Sequence, residues 1–341
     1  MCNSSNSALL SGFNIGTHRV DMPLALAPMA GITDLPFRLI CKRFGAGITV
    51  TEMIASRAVD QGRERTERMA EIGPEEHPVG IQIAGSDTGY IEEAARWAEQ
   101  RGADFIDINM GCPVKKICKQ VAGSALLKDE PRVARILAAA IGAVQVPVTL
   151  KIRTGWDEHS KNVERIAKIA EEAGVTMLIV HGRTRSQMFN GHANWEDIGR
   201  AKQAVSIPVI GNGDVVDAAT ALEMLRISGA DGVMVGRAVQ GNPWVLAEIR
   251  DALLGKPVNS NASIQRWPVV LEHLLALHEH HGERTAGQLA RKHVAWYSKG
   301  CTGSAEFRRD FQRLSDWQGQ LASAESFFTS QAEQEELQHA A

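Results

Sequence analysis

Between residue 24 and about residue 254, short apolar runs alternate with longer amphipathic stretches. The runs at 24–27, 48–52, 79–83, 105–108, 148–152, 177–180, 209–211 and 232–235 are apolar at nearly every position and end in turn residues. Continuous runs of this kind suit strands covered on both faces, as in parallel sheets. Between them apolar residues recur at helical spacing, as at 91–100, 132–143, 162–173 and 218–227. Eight strands, each followed by a helix, is the count of a closed α/β barrel, the (β/α)8 TIM barrel. A doubly wound sheet is the structural alternative, and a weak internal repeat favours the barrel over it. Arg101-Gly102-Ala103-Asp104, Ala173-Gly174-Val175 and Ser228-Gly229-Ala230-Asp231 each precede a strand, with glycine where a helix ends. Glycine takes the left-handed conformation cheaply there, so one helix-stop, strand-start unit is being reused.

The pattern changes after about residue 255. Residues 256–263 are polar, contain Pro257 and read as a linker; from 264 the spacing is helical with no strand signal. The expected organisation is an N-terminal tail 1–12, a barrel 13–255, the linker 256–263, a small all-α helical bundle 264–331 and a polar tail 332–341. Hydrophobic residues at 44% and charged residues at 23% allow a large core and exclude global disorder. The net charge of −3 means that any nucleic-acid site must be a local basic patch. Residues 284–313 offer one, with Arg284, Arg291, Lys292, Lys299, Arg308, Arg309 and Arg313 against Glu306 and Asp310, and Trp296 and Tyr297 among them. An ordinary solvated helix face has the same composition. The five cysteines are odd in number and form no C-x-x-C pair, so neither a disulfide framework nor a metal site is expected, and a reducing cytoplasm is. No signal peptide and no run of about 18 apolar residues is present, so no membrane span is expected.

In a barrel the site lies at the C-terminal ends of the strands. The residues there are Pro28-Met29-Ala30-Gly31, Glu52-Met53, Gln82, Asn109-Met110-Gly111-Cys112, Lys151 with Arg153, His181-Gly182-Arg183, Asn212-Gly213-Asp214 and Gly236-Arg237. Polar groups inside apolar runs cost free energy unless something bonds to them, and convergence of so many predicts a polar ligand. Strands seven and eight commonly bind phosphate. Their glycines would let backbone N–H groups approach an anion, and Arg237 would add a charge-assisted bond. Lys151 fits a Schiff base, a donor to the electron-rich end of a flavin, or a buried ion pair. His181 is a cofactor contact or a satisfied core histidine. The Gly111-Cys112-Pro113 turn would present a thiol to the barrel mouth. With an ordinary pKa of about 8.5 that thiol suits a general acid better than a nucleophile; a packed small residue is the bland alternative.

Ala27-Pro28-Met29-Ala30-Gly31-Ile32-Thr33-Asp34, Gln82-Ile83-Ala84-Gly85, Asp107-Ile108-Asn109-Met110-Gly111-Cys112-Pro113 with Lys115-Lys116, and Ala122-Gly123-Ser124-Ala125-Leu126-Leu127 occur in that order. Lys151-Ile152-Arg153-Thr154-Gly155-Trp156, His181-Gly182-Arg183-Thr184-Arg185, Asn212-Gly213-Asp214 and Gly236-Arg237-Ala238 with Asn242-Pro243-Trp244 follow. Together these blocks resemble the tRNA-dihydrouridine synthase family, most closely its bacterial B-type, over about residues 13–320. The sequence departs from the pattern at Val114, where a smaller residue is usual, and carries a second cysteine, Cys118, six residues beyond Cys112.

The resemblance implies FMN at the barrel mouth, NADPH as reductant, and reduction of specific uridines of the tRNA D-loop to 5,6-dihydrouridine. Hydride would pass from flavin N5 to uracil C6, and Cys112 would give a proton to C5. Pro28, Met29 and Ala30 would line the flavin, and Gln82, Lys151 and His181 would contact it. Asn212, Gly213, Asp214, Gly236 and Arg237 would form its phosphate end, and Asn109 would lie beside the target base. Lys115, Arg183, Arg291 and Lys292 are expected tRNA contacts, and a monomer is expected. Three competing readings remain. A small-molecule flavin oxidoreductase of the dihydroorotate dehydrogenase type would not need the basic bundle. An aldolase using Lys151 would lack flavin bands. A tRNA-binding factor would bind RNA without turnover.

Overall fold

The structure, a computed structural model, describes residues 12–258 and 266–340. Most of the expected N-terminal tail, residues 259–263 of the expected linker, residues 264–265 of the expected bundle and Ala341 lie outside the described residues. Eight strands form the barrel: β1 Leu24–Leu26, β2 Thr49–Val50, β3 Val79–Ala84, β4 Phe105–Met110, β5 Val148–Arg153, β6 Met177–His181, β7 Val209–Asn212 and β8 Gly232–Val235. They are hydrogen-bonded in parallel from β2 through β3 to β8 and on to β1, and an Ala25–Ile48 bridge closes the ring. The chain is a TIM barrel with a helical region behind it. Every residue of β3 and β4 is buried, which is why these strands read as unbroken apolar runs.

Eight helices wrap the strands: α1 Leu35–Arg43, α2 Glu64–Met69, α3 Thr88–Glu99, α4 Glu130–Ala143, α5 Val163–Ala173, α6 Trp195–Ala204, α7 Ala218–Ser228 and α8 Val245–Leu253. Their starts are chemically specified. Asp34, Asp87, Asp129, Asn194 and Asp217 each accept a backbone N–H of the first turn, satisfying donors that a helix leaves unpaired. Gly174 and Gly229 end α5 and α7 left-handed, as the repeat predicts. The hydrophobic core has two layers. One fills the space between strands and helices, with Ile81, Ile106, Leu150, Leu178 and Val233 facing Ile91, Ile136, Ile166 and Ala221. The other lies inside the ring.

A hairpin of Phe13–Ile15 and His18–Val20, which the sequence pattern did not reveal, closes the N-terminal end of the barrel. Its Phe13, Ile15 and Val20 pack on Phe105, Met177, Ile179, Ile210 and Met234. Strands of three residues are too short to display a period.

Four further helices follow: α9 Arg266–His281, α10 Glu283–Tyr297, α11 Ser304–Phe311 and α12 Trp317–Ala340. Val270, Leu274 and Leu277 recur at three- and four-residue spacing along α9, as do Ala286, Ala290 and Val294 along α10. Ile40 of α1 joins this second core, so the bundle is seated on the first barrel helix. His281 Nε2 lies 2.8 Å from Oδ2 of Asp34, the N-cap of α1, and Arg43 pairs with Glu272. Among the described residues no helix is long and apolar enough to cross a membrane.

Candidate active site

The strand ends on the C-terminal side surround a cavity of about 630 Å³. Pro28, Met29, Ala30, Gln82, Asn109, Cys112, Lys151, His181, Asn212, Gly213, Asp214, Gly236 and Arg237 all line it. They come from seven different strand ends, as active-site residues of a barrel do.

On one wall, alternation along β5 turns Thr149 and Lys151 inward together. Lys151 Nζ donates to Asn212 Oδ1 at 2.9 Å, and Asn212 Nδ2 donates to the carbonyl of Met234 at 2.8 Å. Burial pushes the Lys151 amine down to about 8, against the pull of the Asp107 carboxylate. The His181 ring accepts the Arg183 backbone N–H at Nδ1, 3.2 Å away. Burial, then Arg153, Lys151, Arg183 and Arg237, hold its pKa well below the usual histidine value, so the ring is neutral.

Gly213, at φ +115°, is the one residue type that fits its place. A Cβ there would stand 2.8 Å from Ala193 Cβ and 3.4 Å from the His181 ring. The next residue, Asp214, accepts from the Ala193 N–H and from Arg183 Nη2, both at 2.7 Å. Arg237 lies 3.7 Å from the same carboxylate and is 57% exposed, leaving its guanidinium open to an anion.

The thiol loop forms the opposite wall. Asn109 Oδ1 accepts the N–H groups of Gly111 and Cys112 at 3.1 and 2.9 Å. Burial pushes the Cys112 thiol above its ordinary value, so it carries its proton at neutral pH. Cys118 does not reach the cavity: its sulfur lies 3.6 Å from the carbonyl oxygen of Cys112.

Four sequence-predicted residues are not in the cavity wall. Arg183 is buried, with Nε and Nη2 on the carbonyls of Asn190 and Gly191 and Nη2 also on Asp214. Lys115 begins an exposed single turn, Lys115–Lys119, beside the thiol loop. Arg291 donates to the carbonyl of Leu314. Lys292 donates to the carbonyl of Gly31, whose N–H is taken by Glu52. The bundle thus grips the loop that carries Pro28, Met29 and Ala30.

The cavity also takes in Met53, Arg153, Phe189, Met234 and Gln240, to which the sequence reading gave no role. Arg153 was visible as a charge two residues beyond Lys151. Its guanidinium donates to the carbonyls of Gly111, Thr184 and Met188, tying the thiol loop to the loop after β6. Phe189 stands in a turn that carries no periodic signal.

A parallel barrel whose strand ends bring a lysine, a neutral histidine, a protonated thiol and an open arginine to one cavity defines a barrel enzyme acting on a polar ligand. Comparison with known proteins narrows this. The family model described as "Dihydrouridine synthase (Dus)" matches residues 25–333, and the chain belongs to that family. It is 48% identical over 322 residues to tRNA-dihydrouridine synthase B of Pseudomonas syringae pv. tomato, covering 94% of this chain and 95% of that one. Identity to tRNA-dihydrouridine synthase B of Pseudomonas aeruginosa is 46% over 321 residues, 94% of this chain and 96% of the other. Identity to a probable tRNA-dihydrouridine synthase of Rickettsia conorii is 43% over 325 residues, 95% and 98% of the two chains.

Proposed function

We propose that this chain reduces uridines in the D-loop of tRNA to 5,6-dihydrouridine, with FMN in the barrel cavity and NADPH as reductant. The observation that carries the reading is the meeting, in one cavity, of a protonated Cys112 thiol with donors suited to a flavin nucleotide. The residues present fit that group. An anion is matched by Arg237 and by the Cβ-free space at Gly213. An electron-rich ring edge is matched by the buried Lys151 amine, and the neutral His181 adds a polar group without charge. FMN, when bound, supplies the hydride.

The chain's own groups do the rest. Lys151, still mostly protonated at pH 7, faces negative charge with Asn212 fixing its direction. Arg237 holds a phosphate by a charge-assisted bond. Cys112 keeps a proton for the uracil carbon that does not receive hydride, and Asn109 fixes the loop that presents it. The bundle and the exposed Lys115–Lys119 turn are the surfaces we assign to tRNA, whose target base must leave its stack to enter the cavity.

The test is direct. The purified protein is expected to show flavin absorbance bands, and with NADPH to form dihydrouridine in unmodified tRNA. Protein with flavin bands that oxidises NADPH but leaves tRNA unchanged would point to a small-molecule oxidoreductase. Colourless protein that folds normally would rule out the cofactor.

A further inference from the structure

Asp107 is fully buried in β4 and does not line the cavity, yet it anchors a chain of hydrogen bonds that ends on the catalytic loop. Strand register places Gln82, Asp107 and Thr149 side by side across β3, β4 and β5. Thr149 Oγ1 donates to Asp107 Oδ1 and Gln82 Nε2 donates to Asp107 Oδ2, both at 2.7 Å. Asn109 Nδ2 donates to Gln82 Oε1 at 2.7 Å, and Asn109 Oδ1 accepts from the N–H groups of Gly111 and Cys112.

The two ends of this chain have fixed roles. A carboxylate only accepts, and a backbone N–H only donates. Between them stand two carboxamides, each able to face either way. With Asp107 accepting at one end, Gln82 must turn its NH2 toward it and its oxygen toward Asn109. Asn109 must then offer its NH2 to Gln82 and its oxygen to the loop. Reversing either amide would set two donors or two acceptors face to face in a buried site, where an unmet polar group is costly. We propose that Asp107 is a positioning residue: it sets the orientation of Gln82 and Asn109 and so fixes the loop that carries the Cys112 thiol. Burial raises the Asp107 pKa, while the bonds from Gln82 and Thr149 and the Lys151 amine on β5 favour its charged form. The catalytic meaning of this control rests on the proposed role of Cys112, but the control of the loop does not.

The measurement is the rate at which iodoacetamide alkylates Cys112 as a function of pH, read peptide by peptide by mass spectrometry. Cys41, buried in the core, reports in the same samples whether the fold has opened. Asp107→Ala is expected to speed Cys112 alkylation about tenfold, as a hydrogen bond worth ~1.4 kcal/mol is lost, while Cys41 stays protected. Asp107→Asn is expected to stay close to wild type, because its amide can rotate to keep an oxygen toward Gln82 and an NH2 toward Thr149. In an Asn109→Ala background the Asp107→Ala change is expected to add nothing, since the chain is already cut. Should Asp107→Ala not fold, Asp107→Ser keeps a hydroxyl beside Thr149 but is too short to reach Gln82. Unchanged Cys112 alkylation in folded Asp107→Ala or Asp107→Ser protein overturns the proposal. So does an Asp107→Asn variant as reactive as Asp107→Ala, or full additivity with Asn109→Ala. A released thiol with undiminished tRNA reduction would uphold the loop control and instead remove Cys112 as the acid.

Discussion

At the scale of the residue, the site divides its work between a thiol that keeps its proton and an amine close to losing one. Cys112→Ala is expected to bind FMN and to accept electrons from NADPH at close to the normal rate. Oxidation of the reduced enzyme by unmodified tRNA is expected to slow by ~10²–10⁴-fold, the usual worth of a positioned acid. Stopped-flow absorbance of the flavin separates the two steps. Cys118→Ala is expected to do little, because its sulfur rests on the Cys112 carbonyl outside the cavity. Lys151 makes a prediction about pH. Its folded pKa of about 8 lies below the ordinary lysine value of 10.5, so between those limits the unfolded chain binds more protons than the fold. Stability from this group is therefore lowest below pH 8 and rises as pH climbs toward 10.5. Urea midpoints of cofactor-free protein across that window should rise more for wild type than for Lys151→Met; parallel curves would mean that Lys151 does not titrate there. These residues were legible as strand-end polar groups, but their partners were not. Nothing in the sequence spacing pairs Lys151 with Asn212, 61 positions away, because that contact exists only once the ring has closed.

At the scale of the element, the ends of β7 and β8 act through what their residues lack as much as through what they carry. Gly213→Ala would force an L-residue to φ +115° and press its Cβ toward Ala193. A cost of about 1–3 kcal/mol is expected for such strain, together with loss of FMN on gel filtration. A variant that keeps both its stability and its flavin would show that the space is incidental. Arg237→Ala is expected to weaken FMN by roughly 1.5–3 kcal/mol, the range for a charge-assisted bond, measured by flavin fluorescence quenching. The eight strands were readable because both of their faces are buried. The helix starts were readable in principle from Asp and Asn caps. The hairpin over the barrel floor escaped because Phe13 and Ile15 alternate with polar residues for only three positions. β1 and β2 are shorter than the apolar runs 24–27 and 48–52 that announce them.

At the scale of the whole molecule, the bundle and the barrel share a core at Ile40 and meet again where Lys292 holds Gly31. The composition of 284–313 suggested a basic RNA surface, but the fold turns two of those cations inward, Arg291 onto Leu314 and Lys292 onto the loop carrying Pro28–Ala30. Lys292→Met is therefore expected to loosen FMN by several-fold even without RNA, about the effect of one ordinary hydrogen bond. An unchanged FMN dissociation constant would show that the contact does not matter to the cavity. The remaining charges should make tRNA binding fall steeply with salt, by roughly 0.7–0.9 logarithmic units per neutralised phosphate for each tenfold rise. Salt-indifferent binding would count against an electrostatic surface despite its composition.

The hairpin that seals the barrel floor settles how traffic must run. Met234 belongs to the hairpin's cluster on one side and lines the cavity on the other, so among the described residues the floor is closed beneath it. If the proposed function holds, a reductant and an RNA base that both need the same flavin face would enter from the open side of the barrel, and each would exclude the other while it is inside. Excess NADPH should inhibit tRNA reduction competitively, and excess tRNA should slow NADPH oxidation in the same manner. Replacing Phe13 with alanine would thin the floor without touching either ligand, and this mutual exclusion should survive it.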